Sequence, residues 1–275
     1  MDSSLFGVIA IFVGAGCVAG FLAGLLGVGG GIIFVPVLTF VFTALFHTSP
    51  DTAIVLATST SLACMIPTAL SSCTSHYRKG NIDLSLIKRW TPWLLLGVIC
   101  GTLFSSQFGG LWLSALFGVV IILSSLNMLF RAKAPPLRNS LPDMPGQACI
   151  SSFISMFSVM LGIGGGTLSV PILTACNFEP RKATGTASVI GLYVAIPGAI
   201  AMLLIGHAPA DPAVPLWTFG KVCLFAVLCM VPFSVAMAPL GAAVNKMIPP
   251  VALKRMFGIL LILTGIKMLL TSFGF

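Results

Sequence analysis

The chain predicts an all-α polytopic membrane protein: about ten helices in two inverted five-segment repeats, with glycine-broken helices meeting near the membrane midplane. Three observations predict it. Of its 275 residues 57% are hydrophobic and only 7% charged, with a mean hydropathy of +1.10, whereas a soluble domain is about 25% charged. Apolar runs of about 20 residues, the length that crosses about 30 Å of hydrocarbon, recur along the chain and leave no room for a soluble domain. Finally, Leu26-Gly27-Val28-Gly29-Gly30-Gly31, five residues before Pro36, returns as Leu161-Gly162-Ile163-Gly164-Gly165-Gly166, five before Pro171, at a constant offset (162 − 27 = 135; 171 − 36 = 135). A glycine break in an apolar helix, once per half, is the sequence pointer to a transporter's binding site.

Taken in order, apolar segments are predicted at about 5–26, 31–46, 52–75, 91–107, 111–130, 147–162, 166–177, 183–205, 217–240 and 256–272. The first is read as a retained helix, because Met1-Asp2-Ser3-Ser4 has no basic region of a signal peptide. The polar stretch from Arg131 to Gly146 divides the chain into a first repeat (1–131), a linker (132–146) and a second repeat (147–275). Beyond the glycines, Ala57-Thr58-Ser59-Thr60 matches Ala183-Thr184-Gly185-Thr186, and Leu116-Phe117-Gly118 matches Met256-Phe257-Gly258; the offset changes (186 − 60 = 126; 258 − 118 = 140), so loops differ in length. Segments 31–46 and 166–177 cover only about 18–24 Å. Helices that short stop inside the membrane, where open backbone is tolerated only if buried or lining an aqueous cavity.

Charge sets the expected orientation. Arg78, Lys79, Lys88 and Arg89, the linker's Arg131, Lys133 and Arg138, then Arg181 with Lys182, and finally Lys246, Lys254 and Arg255 all fall on one side; connections near 47–51, 107–110 and 206–216 contain no Lys or Arg. Ten crossings with both termini outside put every basic loop in the cytoplasm of a bacterial inner membrane. Five segments per half then make the copies run in opposite senses. The net charge of +8 is thus a loop property, and nothing points to a nucleic-acid partner.

The candidate substrate-binding residues are Gly29, Gly30 and Gly31 with Gly164, Gly165 and Gly166. Glycine turns sharply and leaves backbone N–H groups uncovered. A helix beginning at each run aims those groups and its dipole into the break, an anion site without a charged side chain; Pro36 and Pro171 add a kink one turn on. Close helix packing is the competing explanation for such glycines. Thr60, Ser61, Thr186 and Ser188 add hydroxyl donors, or else bond their own or a neighbouring helix.

The acidic inventory narrows the function. Asp2, Asp51, Asp83, Asp143, Glu179 and Asp211 all fall in predicted loops or termini. A cation site or proton relay is usually marked by an intramembrane carboxylate, so a small anion is the expected substrate; uniport, anion exchange and co-movement of a proton are all compatible with it. His47, His76 and His207 lie at segment ends, giving no catalytic dyad, no metal site and no cofactor motif. The eight Cys form no CxxC pair and read as small apolar residues. Lys221 and Lys267 are expected to snorkel. His76-Tyr77-Arg78-Lys79-Gly80 reads as a solvated loop, and Trp90, Trp93, Trp112 and Trp217 as interfacial anchors.

The two Gly-x-Gly-Gly-Gly runs followed by Val-Pro-(Val/Ile)-Leu, the Thr60-Ser61-Leu62 run, His76 through Asp83 and Ala183-Thr184-Gly185-Thr186 resemble the TauE/SafE family of sulfite-exporter-type permeases over about residues 20–272. Ala187 stands where that family usually has a hydroxyl. The resemblance implies a secondary permease of sulfur-containing anions: sulfite, thiosulfate, sulfonates or related organic acids. An anion channel with the same glycine-lined site, or a non-transporting membrane subunit, are the alternatives.

Overall fold

The structure is a computed structural model and describes residues 2–27, 29–105, 110–130, 138, 140–204, 213–215, 217–245 and 247–272. Its described residues form ten helices: α1 (Asp2–Leu26), α2 (Gly31–Ala44), α3 (Pro50–Tyr77), α4 (Leu84–Ser105), α5 (Gly110–Phe130), α6 (Met144–Leu161), α7 (Gly166–Ala175), α8 (Pro180–Leu204), α9 (Leu224–Val244) and α10 (Pro250–Ser272). A minimal antiparallel hairpin, β1 (Thr218–Phe219) and β2 (Val222–Cys223), precedes α9. Among the described residues, five helices are long and apolar enough to cross a membrane: α1 from Phe6, α3, α6, α8 and α9. The protein is an all-α multi-pass membrane protein.

Three boundaries move for local reasons. α4 begins at Leu84, not near 91, because the Asp83 carboxylate accepts the Leu86 N–H and caps the first turn. Lys88 and Arg89 therefore sit on an exposed helical face, not in a loop. α9 begins at Leu224, not near 217, because the unexpected hairpin occupies the preceding residues. α10 starts at Pro250, where a missing N–H costs a first turn nothing. Arg131, Lys133, Lys246, His207 and Asp211 lie outside the described residues.

Packing directions follow from the small-residue seams. Gly16, Gly20 and Gly24 of α1 lie in step against Met230, Ser234 and Ala238 of α9, so these helices run parallel. Gly97 and Gly101 of α4 lie likewise against Ser155 and Met156 of α6. Absent a hydrophobic drive between helices in lipid, such close backbone approach supplies the association energy. α3 joins the first pair: the Thr68 and Ser234 hydroxyls are 2.6 Å apart, and Ser71 donates to the Val235 carbonyl at 3.0 Å. α8 joins the second pair, packing on α4. α5 and α10 are antiparallel, with Ser114 on the Met268 carbonyl (2.8 Å) and Ser125 on the Gly258 carbonyl (2.9 Å). Exchanging α1–α5 for α6–α10 in order turns the α1/α9 pair into α6/α4, α3/α9 into α8/α4, and α2/α3 into α7/α8, and leaves α3/α8 and α5/α10 as they are. One core cluster sits at the junction, joining Leu25, Ile32 and Val35 to Leu161, Ile163 and Val170.

Candidate functional site

The glycine breaks touch each other at that junction. Gly27, Gly29 and Gly30 have φ of 68°, 76° and 88°, and Gly162 and Gly164 of 63° and 66°. Only glycine adopts these values without penalty. Each break docks on the long helix of the other half in the same way. A Cβ on Gly27 falls on the Thr184 carbonyl of α8, and one on Gly162 falls 2.5 Å from the Thr58 carbonyl of α3. A Cβ on Gly31 comes within 2.6 Å of both the Gly162 carbonyl and the Ile163 Cα, so the breaks meet backbone to backbone.

The chain doubles back to make this contact. The last carbonyls of α1 are held by side chains: Ser72 on Ala23 (3.1 Å), His76 Nε2 on Gly24 (2.9 Å) and Asn245 Nδ2 on Leu25 (2.6 Å). The Gly24 and Leu25 carbonyls are among the acceptors that a helix end leaves orphaned, while that of Ala23 also takes the Gly27 N–H. The chain then returns to bring Gly29 against Met65 and Ala69 of α3, and Gly30 within reach of the Ala19 carbonyl. α2 and α7, about 21 and 15 Å long at 1.5 Å per residue, start from this interior level.

Two short helices therefore start, one from each break, beside this buried junction. In α2 both Ile33 and Phe34 donate to the Gly30 carbonyl; in α7 Ser169 donates to the Gly165 carbonyl. The amides ahead of them, of Gly31 and Ile32 and of Gly166, Thr167 and Leu168, have no acceptor within their own helices. Neither Gly30 nor Gly165 supplies a side-chain cap. Gly29–Gly31 and Gly164–Gly166 are all buried. Clustered N–H groups at a dipole's positive end, in a low-dielectric interior, favour an anion.

The expected hydroxyls are present but mostly engaged. Ser61 donates across the halves to the Gly162 carbonyl at 2.6 Å, and Ser188 to the Gly185 carbonyl at 2.7 Å. Thr60 accepts the Cys223 N–H and Thr186 the Asp83 N–H, each at 3.0 Å. These two are matched tethers: each holds the residue directly ahead of α9 or α4. Their own O–H protons have no acceptor among the described residues. Ala187 is buried at the place corresponding to Ser61.

Two site features escaped the sequence reading. The hydroxyls of Ser158 and Ser169 are fully buried with no partner among the described residues. Their counterparts in the first half are Ala23 and Phe34 (158 − 135 = 23; 169 − 135 = 34), both apolar. Phe34 closes the first break: its ring lies 3.0 Å from a Cβ built on Gly30. Ser169 sits in the first turn of α7, where side chains lean back toward the helix N-terminus. Reading the copies against each other at the 135-residue offset exposes this difference.

Other expectations are corrected. His76 is a fully buried member of the last turn of α3, not part of a solvated loop. Trp90 is fully buried, not interfacial, because its Nε1 donates to Gln147 Oε1 at 3.1 Å; Trp93, Trp112 and Trp217 are exposed. Lys267 lies 5.1 Å from the Phe40 ring centroid. Asp51, Asp83, Asp143 and Glu179 lie in first turns, caps or loops. Burial pushes the Asp83 carboxyl up, but bonds from the Ser85 hydroxyl and the Leu86 and Ser85 N–H groups, with Lys182 nearby, outweigh it and hold the group below the usual carboxylate range.

An all-helical bundle with paired half-helices pointing their N-termini at a common interior level is the architecture of a membrane transporter. A family model described as Sulfite exporter TauE/SafE matches residues 12–268. The chain belongs to the TauE/SafE family. It is 29% identical to a probable membrane transporter protein of Haemophilus influenzae, over 97% of this chain and 100% of the relative. It is 28% identical to the probable membrane transporter protein YunE of Bacillus subtilis (94% and 96% covered), and 25% identical to a probable membrane transporter protein of Methanocaldococcus jannaschii (95% and 96%). No solved structure matches the chain.

Proposed function

We propose that the protein is a secondary permease for small sulfur-containing anions: sulfite, thiosulfate, a sulfonate or a related organic anion. It works by alternating access between an inverted repeat of residues 1–131 and one of residues 147–275, joined by a cytoplasmic linker over 132–146, in a bacterial inner membrane with both termini outside. The observation that carries the reading is the pair of glycine breaks that touch at Gly31 and Gly162, from which the uncapped, buried helices α2 and α7 start. Such a site attracts an oxyanion without a compensating cation. The sulfur chemistry comes from the family description.

Gly29–Gly31 and Gly164–Gly166 supply the backbone donors. Thr60 and Thr186 hold the starts of α9 and α4, with O–H protons that have no acceptor among the described residues; Ser61 and Ser188 brace the walls. The oxyanion lies off centre, toward α7, because Ser169 offers a hydroxyl where Phe34 offers a ring. Release follows when one half rocks against the other and breaks the Gly31–Gly162 contact.

The test is thermal stability of the purified protein against sulfite, thiosulfate, taurine, sulfoacetate, sulfate, acetate and chloride. Ligand at about 100 times its Kd adds about 2.7 kcal/mol to the native state. A shift with one sulfur anion, lost in Ser169→Ala while the ligand-free midpoint holds, supports the reading. A shift that survives Ser169→Ala and Gly165→Ala, or that acetate and chloride match, overturns the site or the sulfur class respectively. Counterflow of trapped substrate in proteoliposomes distinguishes a carrier from a channel.

A further inference from the structure

A groove of about 430 Å³ opens between α3 and α9, lined by none of the residues of the glycine breaks. Its lining changes character along its length. Pro67 and Leu70 with Val235 form apolar walls at one end, and Pro239 continues them toward Arg78 at the other. Arg78 is the C-cap residue of α3 and is exposed. Its guanidinium has no hydrogen-bond or ion-pair partner among the described residues. The hydroxyls that also line the groove are engaged: Ser71 donates to Val235, Thr74 to Leu70 and Ser75 to Ser71 carbonyls. Lys79 next door donates to the Ala242 carbonyl at the end of α9. No acidic side chain lines the groove.

The dimensions match one leaflet. From Pro67 to Arg78 is eleven residues of α3, about 16 Å at 1.5 Å per residue, against about 15 Å for half of a 30 Å hydrocarbon core. Pro67 lies about one turn past the middle of α3 and Arg78 at its end, so the groove lies within one leaflet and reaches headgroup level.

Among the described residues the corresponding stretch of the other half is built differently, although α8 packs on α4 as α3 packs on α9. The last residues of α8, Ile200-Ala201-Met202-Leu203-Leu204, offer neither hydroxyl nor charge, and Leu204 is 80% exposed. Packing the long helix of a half against its partner therefore does not require a basic residue or hydroxyls at this level.

We propose that this groove is a binding site for an anionic phospholipid. One acyl chain lies against Leu70, Val235 and Pro239, and the headgroup phosphate pairs with Arg78. A basic groove between membrane helices at headgroup level recognises an anionic lipid by this chemistry. A zwitterionic headgroup carries its own cation and gains less from Arg78. Because α3 belongs to the first half and α9 to the second, the lipid ties the halves together along a seam already made by Thr68 with Ser234.

The experiment uses the whole purified protein, stripped of lipid in detergent. It is offered phosphatidylglycerol, phosphatidylcholine or inorganic phosphate, and read by native mass spectrometry and thermal midpoint. The expected result is a one-to-one phosphatidylglycerol complex with a raised midpoint, and weak retention of phosphatidylcholine. Arg78→Gln binds phosphatidylglycerol about fivefold more weakly, the loss of one basic contact at a membrane surface. Arg89→Gln, an exposed basic residue outside the groove, leaves binding unchanged. Val235→Trp fills the groove, keeps Arg78 and abolishes the complex. Retention of phosphatidylglycerol by Arg78→Gln and Val235→Trp at the level of the unaltered protein overturns the proposal. So does an equal midpoint shift from inorganic phosphate, which makes the groove a port for soluble anions.

Discussion

The two glycine breaks share a backbone plan and differ in their side chains. Each turns through left-handed glycines, rests on a carbonyl of the long helix opposite, and starts a short helix without a side-chain cap. Yet Phe34 closes the first break while Ser169 leaves a buried, unpartnered hydroxyl at the second. Gly165 differs too: its φ of −61° is helical, whereas Gly30 at the same repeat position has φ of 88°. The backbone plan serves the fold in both halves. In the proposed reading the side chains divide the labour, the first break serving as wall and the second as receptor.

The largest expected effect tests the shared plan. Gly27→Ala and Gly162→Ala each force a Cβ into a backbone carbonyl of the other half at a positive φ. Neither neighbour can retreat without moving a helix, so each change is expected to cost more than about 4 kcal/mol and to eliminate monodisperse protein in size-exclusion chromatography. Gly191→Ala, with open space around its Cβ, is the control and stays folded. Survival of either break variant alone would show that the two docking contacts are not equivalent.

A smaller effect sharpens the comparison at the tethers. Thr60→Val removes the acceptor of the Cys223 N–H, and Thr186→Val that of the Asp83 N–H. Cys223 is buried and Asp83 half-buried. The first loss is therefore expected to cost about 1–3 kcal/mol and the second less, because water replaces part of what is lost. Denaturation midpoints of the two variants in one detergent measure the difference.

Much of this was legible before any coordinates. The Gly27/Gly162 pairing and the 135-residue offset specify where the chain breaks, because no other residue occupies those positions. Thr60 and Thr186 stood out as matched hydroxyls, though sequence could not say that they accept amide protons instead of facing a substrate. What stayed hidden depended on distant partners. Trp90 sits next to a polar turn and reads as an interfacial anchor until Gln147, 57 residues on, appears beside its indole nitrogen. His76 sits among basic loop residues, and only the returning end of α1 buries it. The start of α4 was missed because Asp83 caps a helix whose first turns carry charge, so hydropathy alone begins counting too late.

Ser169→Ala carries the difference between the breaks most directly. A buried hydroxyl with no partner costs about 1–3 kcal/mol. Deleting the oxygen is therefore expected to leave the ligand-free protein as stable or about 1 kcal/mol more so, while anion-induced stabilisation falls. Ser158→Ala is expected to share the gain in stability; its place near the end of α6, where side chains lean away from the break, predicts a weaker effect on the anion. If Ser169→Ala lowers the ligand-free midpoint, its hydroxyl has a structural partner and the division of labour between the breaks fails.

The smallest effect concerns acid. The Asp83 carboxyl titrates below its ordinary value near 3.8 in the folded protein. A group depressed in this way adds stability above its unfolded pKa, and that contribution drains away as pH falls through the folded value. Between neutral pH and about 5 the cap of α4 is thus constant, and its loss is confined to pH below about 4. Asp83→Asn keeps an oxygen for the Leu86 N–H but no charge to titrate. Unfolding midpoints measured from pH 7 to pH 3 are expected to fall less steeply for Asp83→Asn below about pH 4 and to run parallel above it. Parallel curves throughout would mean that the acid sensitivity of the starts of the long helices resides elsewhere, and that the tether from Thr186 holds α4 without help from its cap.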